Sequence, residues 1–244
     1  MSRKPSPEGA HLSPGGVVQR AEEVPISGRR AFLVLSGFGA PVLFSACGGL
    51  NVGIGAESPP QTYLALRDPG AAPASTRRAE PLVPALVIQA LPADALADTA
   101  GIAYARKPHE YAYYQLASWT DRPVRQLPRL LQRRLEARGT AAAIGQNGDP
   151  LRSDWLLTLS VNVLYHDLSV QPGQGRVALS AELHDRRNRR RIARRSFEAA
   201  APAAREDSSS GAEAMSAATA RVFDDLVPWL EAELERAVVA SRSS

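Results

Sequence analysis

One thiol, four imidazoles and a dense run of guanidinium groups are the side chains of this sequence with most chemistry to offer. Cys47 is the sole cysteine, so it has no partner in the chain for a disulfide, and in an exported protein it would stand as an odd free thiol. Its neighbours give it another use. Ser45 and Ala46 are small enough for the backbone to enter a protease site, and a thiolate is the nucleophile that can take up a diacylglycerol as a thioether. The histidines are His11, His109, His166 and His184. His166–Asp167 and His184–Asp185 are His–Asp pairs beside turns, and such pairs invite a metal. Nothing else at metal-ligand spacing accompanies them, so both pairs read as solvated turn residues. There is no G-x-S-x-G elbow and no H-E-x-x-H. Walker-A spacing is absent too, so any ATP hydrolysis is left to a partner. Gly53 and Gly55 lack the strand that a dinucleotide loop requires before it. These residues predict no enzyme and no metal.

Cys47 ends a distinctive stretch, SGRRAFLVLSGFGAPVLFSACGG over residues 27–49. Arg29 and Arg30 precede Phe32 and Leu33, which resembles the twin-arginine export signal RRxFL, an address read by a receptor. The apolar run Ala31–Ala46 falls short of the ~20 residues a membrane span needs, and it reads as a targeting element outside the fold. The competing reading is a buried core helix behind a chance arginine pair. Ser45, Ala46 and Cys47 resemble the lipobox of bacterial lipoproteins. Phe44 departs from it by standing where leucine is usual, with Leu43 one place further back. The expectation is a signal peptide over 1–46, cut before Cys47. That cysteine then carries a diacylglycerol and an N-acyl lipid, with no other cofactor. Several acyl chains make such a tether stable where one chain binds only reversibly. Residues 48–60 are Gly- and Pro-rich, so 47–60 is expected to be a lipidated flexible tether. Gly48, where an aspartate would retain a lipoprotein in the inner membrane of enteric bacteria, predicts the outer membrane and a domain facing the periplasm.

Removing 1–46 leaves 198 of 244 residues, enough for one domain over 61–240. The formal net charge is +4, and +2 once the leader is removed, too weak a surplus to predict nucleic-acid binding. Hydrophobic content of 44% is ordinary for a globular chain.

The elements that position these residues follow from periodicity. In Asp154–Tyr165, Trp155, Leu157, Leu159, Val161, Val163 and Tyr165 alternate with polar residues, the period of a half-buried strand. Arg176–His184 repeats the pattern, and Arg190–Ala199 is a weaker third strand. QPGQG at 171–175 and DRRNR at 185–189 supply the turns of an antiparallel meander. Thr62–Leu66, Ala85–Leu91, Gly101–Ala105 and Tyr111–Ala117 are further strands. A helix is expected to start near Thr120 or Asp121, with Pro123 in its first turn and Gly139 at its end, and Pro128 should kink or delay it. A last helix is expected from about Glu213 to Val238, bent or split at Pro228. Together these predict a single-domain α/β fold of the α+β type, a mixed and largely antiparallel sheet with two main helices packed against it.

Ile102–Pro123 (IAYARKPHEYAYYQLASWTDRP) resembles the signature of the ABC-transport auxiliary lipoprotein family, the PqiC-like proteins. Tyr104, Tyr113, Tyr114, Trp119 and Pro123 carry the match. YLAL after the tether, LVIQALPADAL, VNVLYHDLS, SAELHD and RSFEA follow the family's order over roughly 61–236. Ala105 departs from it, because the family commonly has its arginine one place earlier than Arg106. The resemblance implies a periplasm-facing lipoprotein working with an ABC permease, an ATPase and an MCE-domain protein to move lipids between membranes and maintain the envelope. A regulator or scaffold of another machine, such as cell-wall synthesis, is the alternative.

Arg186, Arg187, Arg189, Arg190, Arg191, Arg194 and Arg195 crowd one hairpin. Contact with anionic lipid headgroups, at about 1 kcal/mol per basic residue, is the functional reading, centred on the first five. A solvated edge that deters strand-to-strand aggregation is the plain one. For the tyrosines and Trp119 a lipid-binding surface is one reading, but they are expected to pack, each polar tip finding a hydrogen bond.

Overall fold

The computed structural model describes residues 60–70, 77–92 and 95–242, all within the compact unit Gly55–Ser244. Arg29, Arg30, Cys47 and the rest of the expected tether up to residue 59 lie outside the described residues. Eight strands and two helices follow in chain order. They are β1 (Thr62–Leu64), β2 (Val83–Pro92), β3 (Gly101–Lys107), β4 (Glu110–Trp119), α1 (Pro123–Arg138), β5 (Ala141–Gln146), β6 (Trp155–Asp167), β7 (Gln174–Asp185), β8 (Arg190–Pro202) and α2 (Ser208–Arg242).

β6 is the spine of one mixed, open sheet. β7 runs antiparallel along its whole length, and β8 pairs beyond β7. On its other side β6 is shared. Its first half pairs in parallel with β2, which carries β5 outside it. Its last residues pair with β3, followed outward by β4 and β1. The sheet therefore ends at β1 and at β5 on one side of β6 and at β8 on the other.

Both helices cover the same face. Leu86 and Ile88 of β2, Leu157, Leu159 and Val161 of β6, and Val177, Leu179, Ala181 and Leu183 of β7 form one core with Leu127, Leu131 and Leu135 of α1 and Met215, Phe223, Leu226 and Leu230 of α2. Each such side chain contributes about 1.5–3 kcal/mol by leaving water. Gly175 lets α2 come down onto β7: a Cβ there would lie 2.2 Å from the Met215 backbone nitrogen. Sequence pattern places Gly175 in a turn, whereas it lies inside β7 beneath the helix.

The meander is as its alternation predicts, with one correction. A bulge at Asn162 breaks the ladder between Val161↔Leu179 and Val163↔Ala178. An extra residue in one strand reverses the phase of all that follow. Val163 and Tyr165 move to the bare face, where Tyr165 packs on Ala103 and Ala105. Leu164 and His166 take the helix face instead.

α1 begins at Pro123, whose fixed φ suits the first turn, and no side chain caps it. It continues through Pro128 and ends at Gly139, left-handed at φ 69°. α2 is a single helix of 35 residues, so Pro228 does not split it. It starts five residues earlier than expected because Asp207 caps it. Asp207 Oδ1 accepts the Ser210 N–H at 2.7 Å. β5, AAAIGQ, has no alternation to reveal it and is held by pairing with β2.

Candidate functional site

Three groups of polar or exposed side chains stand out on this frame. The first is the arginine turn. Arg186, Arg187 and Arg189 lie on the β7–β8 turn, and Arg190 and Arg191 open β8, all exposed. Asp185 organises the turn. It is buried and accepts hydrogen bonds from Asn188 N at 3.1 Å and Asn188 Nδ2 at 2.7 Å. Burial alone would raise its pKa, but these bonds and Arg187 hold the carboxyl below its usual range. Arg191 and Arg194 both face Glu182, at 3.6 and 3.4 Å. The loop before β6 adds a basic group that linear sequence kept 34 residues away, Arg152. With Arg186 and Arg187 it lines an open recess of about 600 Å³, together with Trp155, Leu151 and Pro84. Asp154 also borders the recess, 3.8 Å from Arg187.

The second group is centred on His166. It is fully buried, contrary to the expectation of a solvated turn residue, because the bulge in β6 turns it under α2. A Cβ on Gly211 would meet its Nδ1 at 2.5 Å. Nδ1 lies 2.9 Å from Tyr114 Oη, and Nε2 has no hydrogen-bond partner among the described residues. Burial lowers the pKa of His166 against the pull of Asp207, Glu206 and Asp167. Burial likewise pushes the Tyr114 phenol up to about 12. Tyr114 also packs on Tyr104, centroids 4.7 Å apart. Asp167 is buried as well, accepting from Ser169 N at 3.0 Å and Gln174 Nε2 at 3.3 Å. Among the described residues no three His, Cys, Asp or Glu side chains could hold a metal ion. The two His–Asp pairs are thus separate structural features. His184 remains half-buried, beside Glu182.

The third group lies on the bare face of the β1–β4–β3 wing. Trp119 and Tyr114 pack inward as expected, although Trp119 Nε1 finds no hydrogen-bond partner among the described residues, Tyr165 is buried on the bare face instead, and other aromatics stay exposed. Tyr63 is 64% exposed, Leu116 53%, and Tyr111 and Tyr113 44% each. Tyr113 lies over Gly101, and Tyr111 meets Tyr165 edge-on.

Two buried ionic clamps hold the frame beneath these surfaces. Arg134 of α1 binds Asp68 with two nitrogens, and its Nη1 lies 2.6 Å from Asp224 of α2. Glu231 of α2 accepts from Arg138 at 2.7 and 3.0 Å and from Thr140 Oγ1 at 2.7 Å. Burial would raise the Glu231 pKa, yet Arg138, Thr140 and Arg78 keep it low.

Both helices thus cover one face of the sheet, while charged and aromatic side chains stand exposed elsewhere on it. Residues 65–227 match the family described as ABC-type transport auxiliary lipoprotein component, and the chain belongs to that family. The fold is also that of a crystal structure of a Xanthomonas campestris protein of the DUF330 family. It is 24% identical, with a TM-score of 0.63 over 72% of this chain and 99% of that one. A second crystal structure, of an uncharacterized protein, is 16% identical with a TM-score of 0.54 over 70% of this chain and 99% of its own. Among curated proteins no sequence matches. The family makes the chain a lipoprotein auxiliary to an ABC-type transport system. Among the described residues no helix is long and apolar enough to cross a membrane.

Proposed function

We propose that this chain is the non-catalytic auxiliary subunit of an MCE-type ABC transport system that moves lipids between membranes. Its mature form begins at Cys47, carries a diacylglycerol and an N-acyl chain there, and faces the periplasm from the outer membrane. The observation that carries this reading is the family match over 65–227 placed directly behind a leader ending in Ser45, Ala46 and Cys47. Arg29 and Arg30 serve the export step.

In this reading the permease and its ATPase supply the energy, and the domain supplies surfaces. The arginine turn contributes Arg186, Arg187, Arg189, Arg190 and Arg191 to anionic headgroups, each worth about 1 kcal/mol near a charged surface. The recess lined by Arg152, Arg186 and Arg187 together with Trp155, Leu151 and Pro84 has the mixed cationic and apolar lining such a headgroup would need.

The test is an affinity pull-down of the full chain from membranes, with Cys47→Ala as control, read by mass spectrometry. Co-purification of an MCE-domain protein with its permease is the expected result. Recovery of cell-wall synthesis proteins in their place would replace the transport role with that of an envelope scaffold.

A further inference from the structure

We infer that the bare face of the β1–β4–β3 wing is a membrane-contact surface. Tyr63, Leu116, Tyr113 and Tyr111 seat in the interfacial layer of the bilayer that holds Cys47. The inference rests on the lipidated Cys47 of the proposed function and adds to it a definite orientation of the domain.

The register fixes which side chains share the face. Thr62, Tyr63 and Leu64 pair with Ala117, Ser118 and Trp119. Ala117 and Trp119 belong to the core under the helices, so Ser118 and Tyr63 point the other way. Gln61 Nε2 donates to Ser118 Oγ at 2.8 Å, which confirms the side. Gly101 pairs with Ser118, and the Tyr113 ring lies over Gly101. Tyr111 pairs with Ala105, whose neighbours are on the bare face. Leu116 is 53% exposed and lies along β4 between Tyr113 and Ser118, both on this face. Four large side chains, three of them phenols, thus crowd one exposed wing. Apolar clusters of this kind mark a contact surface on a folded monomer. Tyrosine has an apolar ring and a polar tip, the combination found at membrane–water interfaces. Lys107, on the hairpin beside Tyr111, is exposed and could meet headgroup phosphates.

The length and arrival point of the chain select the occupant. Fifteen residues separate Cys47 from Thr62. That length bounds how far the anchor can lie from β1. The chain enters β1, the strand that carries Tyr63, so the anchor holds this face at high local concentration near the lipid. The arginine turn lies at the start of β6, where Trp155 pairs with Asp185. The tyrosine wing joins β6 at His166, about 36 Å further along the strand. It is also five strand spacings across, about 24 Å, from β1 to β8. These separations lie within the plane of the sheet, so they place the arginine turn outside the contact made by the tyrosine wing, and the headgroups it meets are those of a facing membrane.

The test uses the full chain, exported and processed in cells, then purified and reconstituted into vesicles of phosphatidylethanolamine and phosphatidylglycerol. The thiol of Cys47 is consumed by its lipid, so a new cysteine is the only labelling site. Tyr63→Cys, Leu116→Cys and Arg189→Cys are each labelled with an environment-sensitive dye, and nitroxide-bearing lipids serve as quenchers. Quenching severalfold stronger at positions 63 and 116 than at 189 is the expected result. Lipidated protein, verified by mass, whose dyes at 63 and 116 are quenched no more than at 189 overturns the inference while leaving the anchor intact. Protein lacking the lipid mass overturns the anchor and the inference together. A dye shift that nitroxide lipids do not quench, and that grows with protein density, identifies a second copy on this face and also overturns it.

Discussion

The tyrosine wing and the arginine turn occupy opposite edges and opposite ends of one sheet, and both expose side chains that the fold does not need. They differ in how they remain soluble. The arginine turn borders β8, which pairs only with β7, and its charges guard that free edge against pairing with another chain. A charged edge is complete without a partner. The tyrosine wing has no such guard: Tyr63, on a strand of three residues, and Leu116 of β4 stay more than half exposed. An apolar surface is complete only when something covers it. The contrast separates a surface that tolerates water from one that awaits a membrane.

The frame between the two regions must be tested first, because both depend on it. Gly175→Val places a branched side chain where a Cβ would already lie 2.2 Å from Met215 N and 2.4 Å from the Ala214 carbonyl carbon. Backbone cannot yield as a side chain does, so the substitution should cost more than the usual ~1–3 kcal/mol of overpacking. Failure to fold, or a collapse of the urea midpoint, would show it. A chain of native stability would mean that α2 does not rest on β7 at this distance.

Arg134→Met comes next. It leaves Asp68, 4% exposed at its side chain, buried without its cation, and should cost about 3–5 kcal/mol in a denaturant titration. The doubly substituted chain Arg134→Met, Asp68→Leu should recover much of that loss, because no uncompensated charge remains.

Acid should weaken the tyrosine side before the rest. His166 has a lowered pKa when folded, so below about 6.5 the unfolded chain binds a proton that the folded chain refuses, and stability falls with pH at up to about 1.4 kcal/mol per unit. Glu231 works lower. Its pKa is depressed below 4.5 when folded, so its contribution is present above that value and is lost as pH falls through the folded pKa. His166→Gln should flatten the slope between pH 6.5 and 5 and leave the later loss in place. An unchanged slope would mean that His166 titrates freely when folded.

How much of this was legible beforehand depends on the residue. The β6–β8 meander could be read because Leu157, Leu159, Leu179 and Leu183 alternate strictly with polar residues. β5 could not, since AAAIGQ carries no periodic signal and owes its form to pairing with β2. The bulge at Asn162 leaves no mark in the sequence, and it alone sends His166 inward and Tyr165 outward. Asp207 ahead of three serines was a readable cap, and it dates the start of α2 better than the apolar stripe does. The tyrosines were read by type, and type favours packing. Only the register separates Tyr114, bonded to His166, from Tyr113, its neighbour on the bare face. Arg152 joined the arginine turn through a loop that no spacing could foretell.

The smallest effect on stability belongs to the arginines themselves. Replacing Arg186, Arg187, Arg189, Arg190 and Arg191 with glutamine should change the unfolding free energy by no more than about 0.5 kcal/mol per site, since these are exposed positions. The same replacement should abolish salt-sensitive binding of anionic vesicles at that end. Binding that persists unchanged would leave the turn with its guarding role alone.

The comparison turns on the anchor, so the most direct measurement is the intact mass of the mature protein and of its N-terminal peptide. The account predicts a chain that starts at Cys47, with a diacylglycerol thioether and an N-acyl chain on that residue. An uncut peptide bridging Ala46 and Cys47, or a mature chain with a free thiol, would contradict it.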